Sequence, residues 1–277
     1  MKFGYLLASF NIVLFLCFLT VFLLPAFILD FTFMEEFWTK SWYIGILFLM
    51  LILFVNLLYA RNRILLQKLE QEDWPGLAQY LETELFTRQK ISARKVNLLT
   101  DSLLLLHDLE TVKKLEVLVA DKKPSIYNAC ATGFASAALV SADHAFLESV
   151  VQHAASARPE ERIWLELLSG ISSHSVKQYD KAGTYLLPLA QSSSDPVVAA
   201  LSGYICEKML APKLGDAGGR FIAAGAAVKH RIIPKLSRSK WLRLVEEAKS
   251  SMHVVILSRL LEDAGSWLFD AAHSVRT

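Results

Sequence analysis

Apolar side chains run from Phe3 to Leu24 with only Ser9, Asn11 and Thr20 among them, and a second run extends from about Trp42 to Ala60. Each is close to the ~20 residues a helix needs to cross a bilayer core. Pro25 follows the first run, and an aromatic segment from Phe27 to Trp38 carrying Asp30, Glu35 and Glu36 separates the two. The second run stops at Arg61-Asn62-Arg63. The pattern predicts two transmembrane helices, about 3–24 and 42–60, joined by a short outer loop. The first run is long, has a single lysine ahead of it and lacks a small-x-small cleavage site, which argues against a cleaved leader.

From Arg61 onward the pattern changes to helical periodicity with recurrent charge. Pro124, Pro159 and Pro196 each open a helix-like segment, at separations of 35 and 37 residues. Proline suits the first turn of a helix, where its missing N–H is not needed. Thr132-Gly133-Phe134 followed by Asp143-His144-Ala145 recurs as Ser169-Gly170-Ile171 followed by Asp180-Lys181-Ala182, and Leu168-Ser169-Gly170 recurs as Leu201-Ser202-Gly203. Each unit reads as a helix with a small residue midway, a polar turn and a second helix. One such pair cannot bury its apolar face alone, so neighbours must stack. The expected fold is therefore all-α: a transmembrane hairpin over 1–60, an α-solenoid of helix pairs over 61–230 and capping helices over 231–277. The caps are expected at about Trp241–Lys249 and His253–Ala272. Glu72-Asp73-Trp74-Pro75-Gly76 reads as a turn between helices 64–71 and 77–88, so the second span is expected to run directly into the first repeat helix.

The unit from Trp164 through Gly170, Gln178-Tyr179-Asp180-Lys181-Ala182, Leu186 and Leu189 to Pro196 resembles the tetratricopeptide repeat. Tyr179, Ala182, Leu186 and Leu189 match that family's second helix, and Gly170 matches its small position; Trp164 is displaced by about two residues. The resemblance covers roughly 72–230, and a HEAT-like or Sel1-like helix pair is an open alternative. The layout of two N-terminal spans followed by such repeats is similar to that of bacterial HemY-type membrane proteins. It implies a surface that binds a protein partner.

Charge adds orientation. Residues 1–60 hold only Lys2, Asp30, Glu35, Glu36 and Lys40 as charged side chains, while Arg61, Arg63 and Lys68 follow the second span. Basic flanks predict that both ends face the cytoplasm of a plasma (bacterial inner) membrane. Tyr5 and Tyr59 are expected at the inner interface and Trp38, Trp42 and Tyr43 at the outer one. Neither span carries an ionisable residue near its centre, which argues against a channel or transporter working alone. Asn56 comes level with about Leu7 to Ser9 in an antiparallel hairpin, with Asn11 nearby, so a Ser9–Asn56 or Asn11–Asn56 hydrogen bond would clamp it; a contact to another membrane subunit is the alternative use. Cys130 and Cys206, among small apolar residues, read as reduced buried thiols.

Chemistry is sparse. Gly215-Asp-Ala-Gly218-Gly219-Arg220 lacks the Lys-Ser/Thr of a phosphate loop and reads as a helix–helix turn. The seven histidines show no metal-ligand spacing, and there is no Cys-x-x-Cys and no nucleophile elbow. No catalytic residue, cofactor or metal is expected. The net charge of +2 argues against a general nucleic-acid binder. One stretch stands out: Lys229, Arg231, Lys235, Arg238, Lys240 and Arg243 accumulate with no acidic residue between Asp216 and Glu246, interleaved with Ile232, Ile233 and Trp241. It reads as a solvated loop or as a contact for anionic lipid or an acidic partner. These features predict a membrane-anchored, non-catalytic scaffold that binds a protein partner at the cytoplasmic surface. An accessory subunit of a larger secretion, motility or biosynthetic complex is the alternative.

Overall fold

The computed structural model describes residues 2–28 and 31–269, which are helical with short connections and contain no strand. It divides into two compact units, Met1–Tyr80 and Leu81–Thr277.

In the first unit α1 (Lys2–Ile28) packs against α2 (Phe31–Glu70), and both contain stretches long and apolar enough to span a membrane, Gly4–Val21 and Thr39–Glu70. Helix persists where an irregular outer loop was expected. Pro25 sits inside α1, leaving the Val21 carbonyl without its usual donor, a loss that transmembrane helices tolerate. α2 begins by Phe31 and bends at Ser41, whose φ of −117° and ψ of 20° depart from helix. Asp30 and the side chains of Glu35, Glu36 and Trp38 lie outside the described residues, as do residues 270–272 of the expected last helix. α2 is continuous through Ala60 to Glu70, so helix runs on past the second apolar run as its periodicity predicts. Leu6, Ile12, Val13, Leu47, Leu49, Leu53 and Leu57 are all more than half exposed. Such an apolar surface is suited to lipid contact rather than to water.

The remaining helices form hairpins. α3 (Trp74–Glu82) follows α2, with a wider helical turn from Thr83 to Thr87 at its end. The hairpins of the second unit are α4 (Ala93–Leu106) with α5 (Leu109–Lys122), α6 and α7 (Pro124–Tyr127, Ala131–Val140) with α8 (His144–His153), α9 (Pro159–Ser175) with α10 (Tyr179–Ser192), and α11 (Pro196–Tyr204) with α12 (Gly218–Ile232). Pro124, Pro159 and Pro196 all stand in the first turn of their helices. Glu72, His107, Ala142 and Lys177, spaced 35 residues apart, are all left-handed, with φ between 53° and 63°. Each turn makes the same two backbone bonds: the left-handed residue donates three residues back (Ala142 to Leu139, 3.1 Å) and the next residue donates five back (Asp143 to Ala138, 3.0 Å). This is a Schellman ending. The residue after it caps the following helix: Asp73, Asp108 and Asp143 accept from the N–H three residues on, at 2.9–3.1 Å. Gln178 holds that place in the fourth turn without a side-chain cap bond. Asp143 is thus equivalent to Gln178, and the sequence pairing of Asp143 with Asp180 is two residues out of register.

The first helices of successive pairs pack side by side, α4 on α7, α7 on α9 and α9 on α11, and each first helix packs on its own second helix. Glycine sets two of these approaches. A Cβ on Gly170 would lie 2.5 Å from Leu186 Cγ, and one on Gly203 would lie 2.9 Å from Val228 Cγ2. The core is continuous through Leu99, Leu115, Phe134, Leu147, Leu168, Leu186 and Phe221, none more than 1% exposed. α13 (Arg238–Ala248), α14 (Met252–Ile256) and α15 (Ser258–Phe269) complete the chain. They fold back along the first helices: α14 packs on α7, His253 meets the Trp164 ring at 4.5 Å, and α15 packs on α11. Trp267 is buried rather than displayed.

Candidate functional site

The structure divides the basic stretch into two groups. Lys229 is engaged internally, 3.3 Å from Glu207 and 4.4 Å from the centre of the Trp267 ring. Burial alone would raise the Glu207 carboxyl, but hydrogen bonds from its neighbours, Lys208 and Lys229 among them, hold it below its ordinary range. Arg231 donates to the Ala190 carbonyl at 2.9 Å and to the Gln191 carbonyl. It thereby serves the last turn of α10, where free carbonyls concentrate negative potential. Lys235, Arg238, Lys240 and Arg243 are exposed, with Leu242 61% exposed among them. Arg238 and Lys240 occupy the first turn of α13, whose cap is Ser237. Trp241 and Ile232 point inward, 3% and 5% exposed, so they supply packing rather than an apolar surface.

Asn11 and Asn56 meet within the apolar hairpin. Each side-chain amide donates to the other's Oδ1, at 3.2 and 3.1 Å, and Asn56 also donates to the Ile52 carbonyl at 2.8 Å. Both N–H bonds of Asn56 are thereby used within the hairpin. The Phe18 and Phe48 rings meet tilted on the same interface, their centres 5.4 Å apart.

Buried carboxylates elsewhere have local partners. Glu84, 4% exposed, accepts from Arg88 at 2.7 Å and from Lys95 at 2.8 Å, and these bonds outweigh burial to hold its carboxyl low. Glu116, 3% exposed, accepts from Tyr127 at 2.6 Å and faces His153 Nδ1 at 3.0 Å. Cys130 and Cys206 are free and buried, and burial pushes both thiols up to about 12, which leaves them poor nucleophiles. No group of three or more His, Cys, Asp or Glu among the described residues is placed to hold a metal ion.

Two cavities escaped the sequence reading. One, of about 290 Å³, lies where α4, α7 and α9 meet the start of α14, and is lined by Asn97, Asp101, Thr132, Glu161 and His253. Burial raises Asp101 to about 6 and lowers His253 to about 4. Thr132 donates to Glu161 at 2.5 Å. The other, of about 270 Å³, lies between α8, α9 and α10 around His144, Glu148, Ser173, Lys181 and Tyr185. There His144 Nδ1 is 2.9 Å from Ser172 Oγ, His144 Nε2 is 3.4 Å from Glu148, and Lys181 pairs with Glu148. Of these, only the His144/Glu148 spacing of one helical turn was visible in the sequence. The other partners come from helices about 30 residues away.

These features define an all-helical protein with two apolar N-terminal helices and a helical unit built on a recurring hairpin turn. The chain belongs to the family described as "Uncharacterised Treponema protein", which it matches over residues 111–270. It is 31% identical over 231 residues to an "Uncharacterized protein" of Treponema pallidum (strain Nichols), covering 81% of this chain and 74% of that relative. No solved structure matches it.

Proposed function

We propose that the chain is a membrane-anchored, non-catalytic scaffold whose tetratricopeptide-like helix pairs stack as a solenoid and hold a protein partner at the cytoplasmic membrane surface. The single observation that carries this reading is the Schellman turn repeated at Glu72, His107, Ala142 and Lys177. Stacked hairpins of one geometry offer an extended surface on which equivalent positions align. Leu105 and Val140, each two residues before a left-handed residue, are such equivalent positions and are 46% and 40% exposed; Val176, one residue before Lys177, adds a third apolar side chain at 42%. A partner polypeptide lying along the turns would cover them. The apolar hairpin supplies the anchor, and the basic residues after it favour a cytoplasmic position for both ends. The exposed Lys235, Arg238, Lys240 and Arg243 suit anionic headgroups or an acidic stretch of the partner.

The test is photo-crosslinking in the native cell from the full chain, with the probe residue placed in turn at Leu105, Val140 and Val176. The scaffold reading expects one adduct of the same mass from all three positions and none from Glu110, which is exposed on a second helix. Unrelated adducts, or none, refute it. The accessory-subunit alternative is favoured instead if gentle detergent extraction returns the chain in a fixed stoichiometric complex.

A further inference from the structure

We propose that the cavity between α8, α9 and α10 binds a small zwitterion of amino-acid size. Its volume of about 270 Å³ accommodates one residue-sized molecule. Ser173, on its wall, is 1% exposed, and its hydroxyl has no hydrogen-bond partner. His144 Nε2 is likewise buried, and although a Glu148 oxygen lies 3.4 Å away the two are not aligned as a hydrogen bond. An unmade hydrogen bond at a buried polar group costs ~1–3 kcal/mol, so two in one cavity point to an occupant that completes them. The more exposed side is formed by Glu148 and Lys181, 44% and 39% exposed and paired with each other.

The charge balance selects the ligand class. With Glu148 and Lys181 cancelling, a singly charged ligand would bring an uncompensated charge into a half-enclosed site. A zwitterion brings none. Its ammonium takes the Glu148 carboxylate, and its carboxylate takes the Lys181 ammonium with the Tyr185 hydroxyl beside it. A polar side chain then reaches Ser173 and His144, and Leu147 supplies an apolar wall. This site stands independently of the scaffold reading, because it lies within one hairpin and its neighbour and requires no macromolecular partner.

The experiment is calorimetric titration of the full chain in detergent micelles with serine and with glutamine, and with acetate and ethylamine as the separated charges. Imidazole ¹⁵N signals are recorded in parallel, with H144Q assigning His144. Saturable binding of an amino acid, a shift of the His144 signal, and at least about a tenfold loss of affinity in E148Q and K181M are expected, with a smaller loss in S173A. Failure of serine and glutamine to bind at millimolar concentration with an unmoved His144 signal means that water alone fills the cavity, and overturns the proposal. Acetate or ethylamine binding as tightly as the amino acids, or wild-type affinity in both E148Q and K181M, overturns it equally.

Discussion

Gly170→Ala probes the packing within a single hairpin. The added Cβ would lie 2.5 Å from Leu186 Cγ and 2.7 Å from its Cδ2, and Leu186 is fully buried. Overpacking of this kind costs ~1–3 kcal/mol, whereas exchanging a mid-helix glycine for alanine returns ~1 kcal/mol of helix propensity. The net expectation is a loss of ~0–2 kcal/mol. Leu186→Ala on its own opens a cavity and costs ~2–5 kcal/mol. In the double variant the new methyl group has room, the clash disappears and the propensity gain remains. The two changes should therefore couple favourably by ~1–3 kcal/mol. Urea unfolding of the detergent-solubilised full chain, followed by far-ultraviolet circular dichroism, gives all four stabilities. If Gly170→Ala stabilises by ~1 kcal/mol and the two changes add, α10 does not approach α9 as closely as described, and the argument for a small residue at this position fails.

Other expectations follow from single features. Ala142 holds a left-handed φ of 53°, which disfavours any side chain by ~1 kcal/mol; Ala142→Gly should raise stability by ~0.5–1 kcal/mol in the same assay, and an unchanged midpoint would contradict the turn geometry. In the cavity bounded by α14, His253 titrates near 4 instead of 6.5, so the unfolded chain takes up that proton first and stability drains as pH falls from 6.5 to 4. Asp101 titrates near 6 instead of 3.8, so the folded chain takes up that proton first and stability grows as pH falls from 6 to 3.8. Each is worth at most ~3 kcal/mol, and they oppose each other: wild-type stability should vary little over this window, Asp101→Asn should lose stability in acid and His253→Gln should gain it, as read from urea midpoints at each pH. Asn11→Leu and Asn56→Leu should show a coupling of ~0.6 kcal/mol in a double-mutant cycle of hairpin unfolding in bicelles; zero coupling would mean that the paired amides contribute nothing.

What the sequence revealed depended on whether the physics was local. Apolar run length, the basic boundary at Arg61 and proline at a helix start are local properties, and the structure has helices where they pointed. The repeat period was legible only approximately. Its marker is a backbone conformation carried by Glu72, His107, Ala142 and Lys177, four residue types with no side chain in common, and Gln178 replaces the aspartate that caps the other turns. Matching side chains therefore aligned Asp143 with Asp180 and placed the turn two residues late. The basic stretch read as uniform because Lys229 and Arg231 look no different in sequence from Lys235. Their engagement depends on Glu207 and on the carbonyls of Ala190 and Gln191, which only folding brings near. The cavities were invisible for the same reason.

In the proposed arrangement the apolar hairpin anchors a helical unit on the cytoplasmic side. This arrangement is tested most directly by a single-cysteine version of the full chain in which Cys17, Cys130 and Cys206 are replaced and cysteine is introduced at Val117, 64% exposed on α5. A membrane-impermeant maleimide is applied to intact and to permeabilised cells, and the membranes are then washed with alkaline carbonate. Labelling only after permeabilisation and full retention of the chain in the washed membranes are expected. Labelling of intact cells, or release of the chain by carbonate, would contradict it.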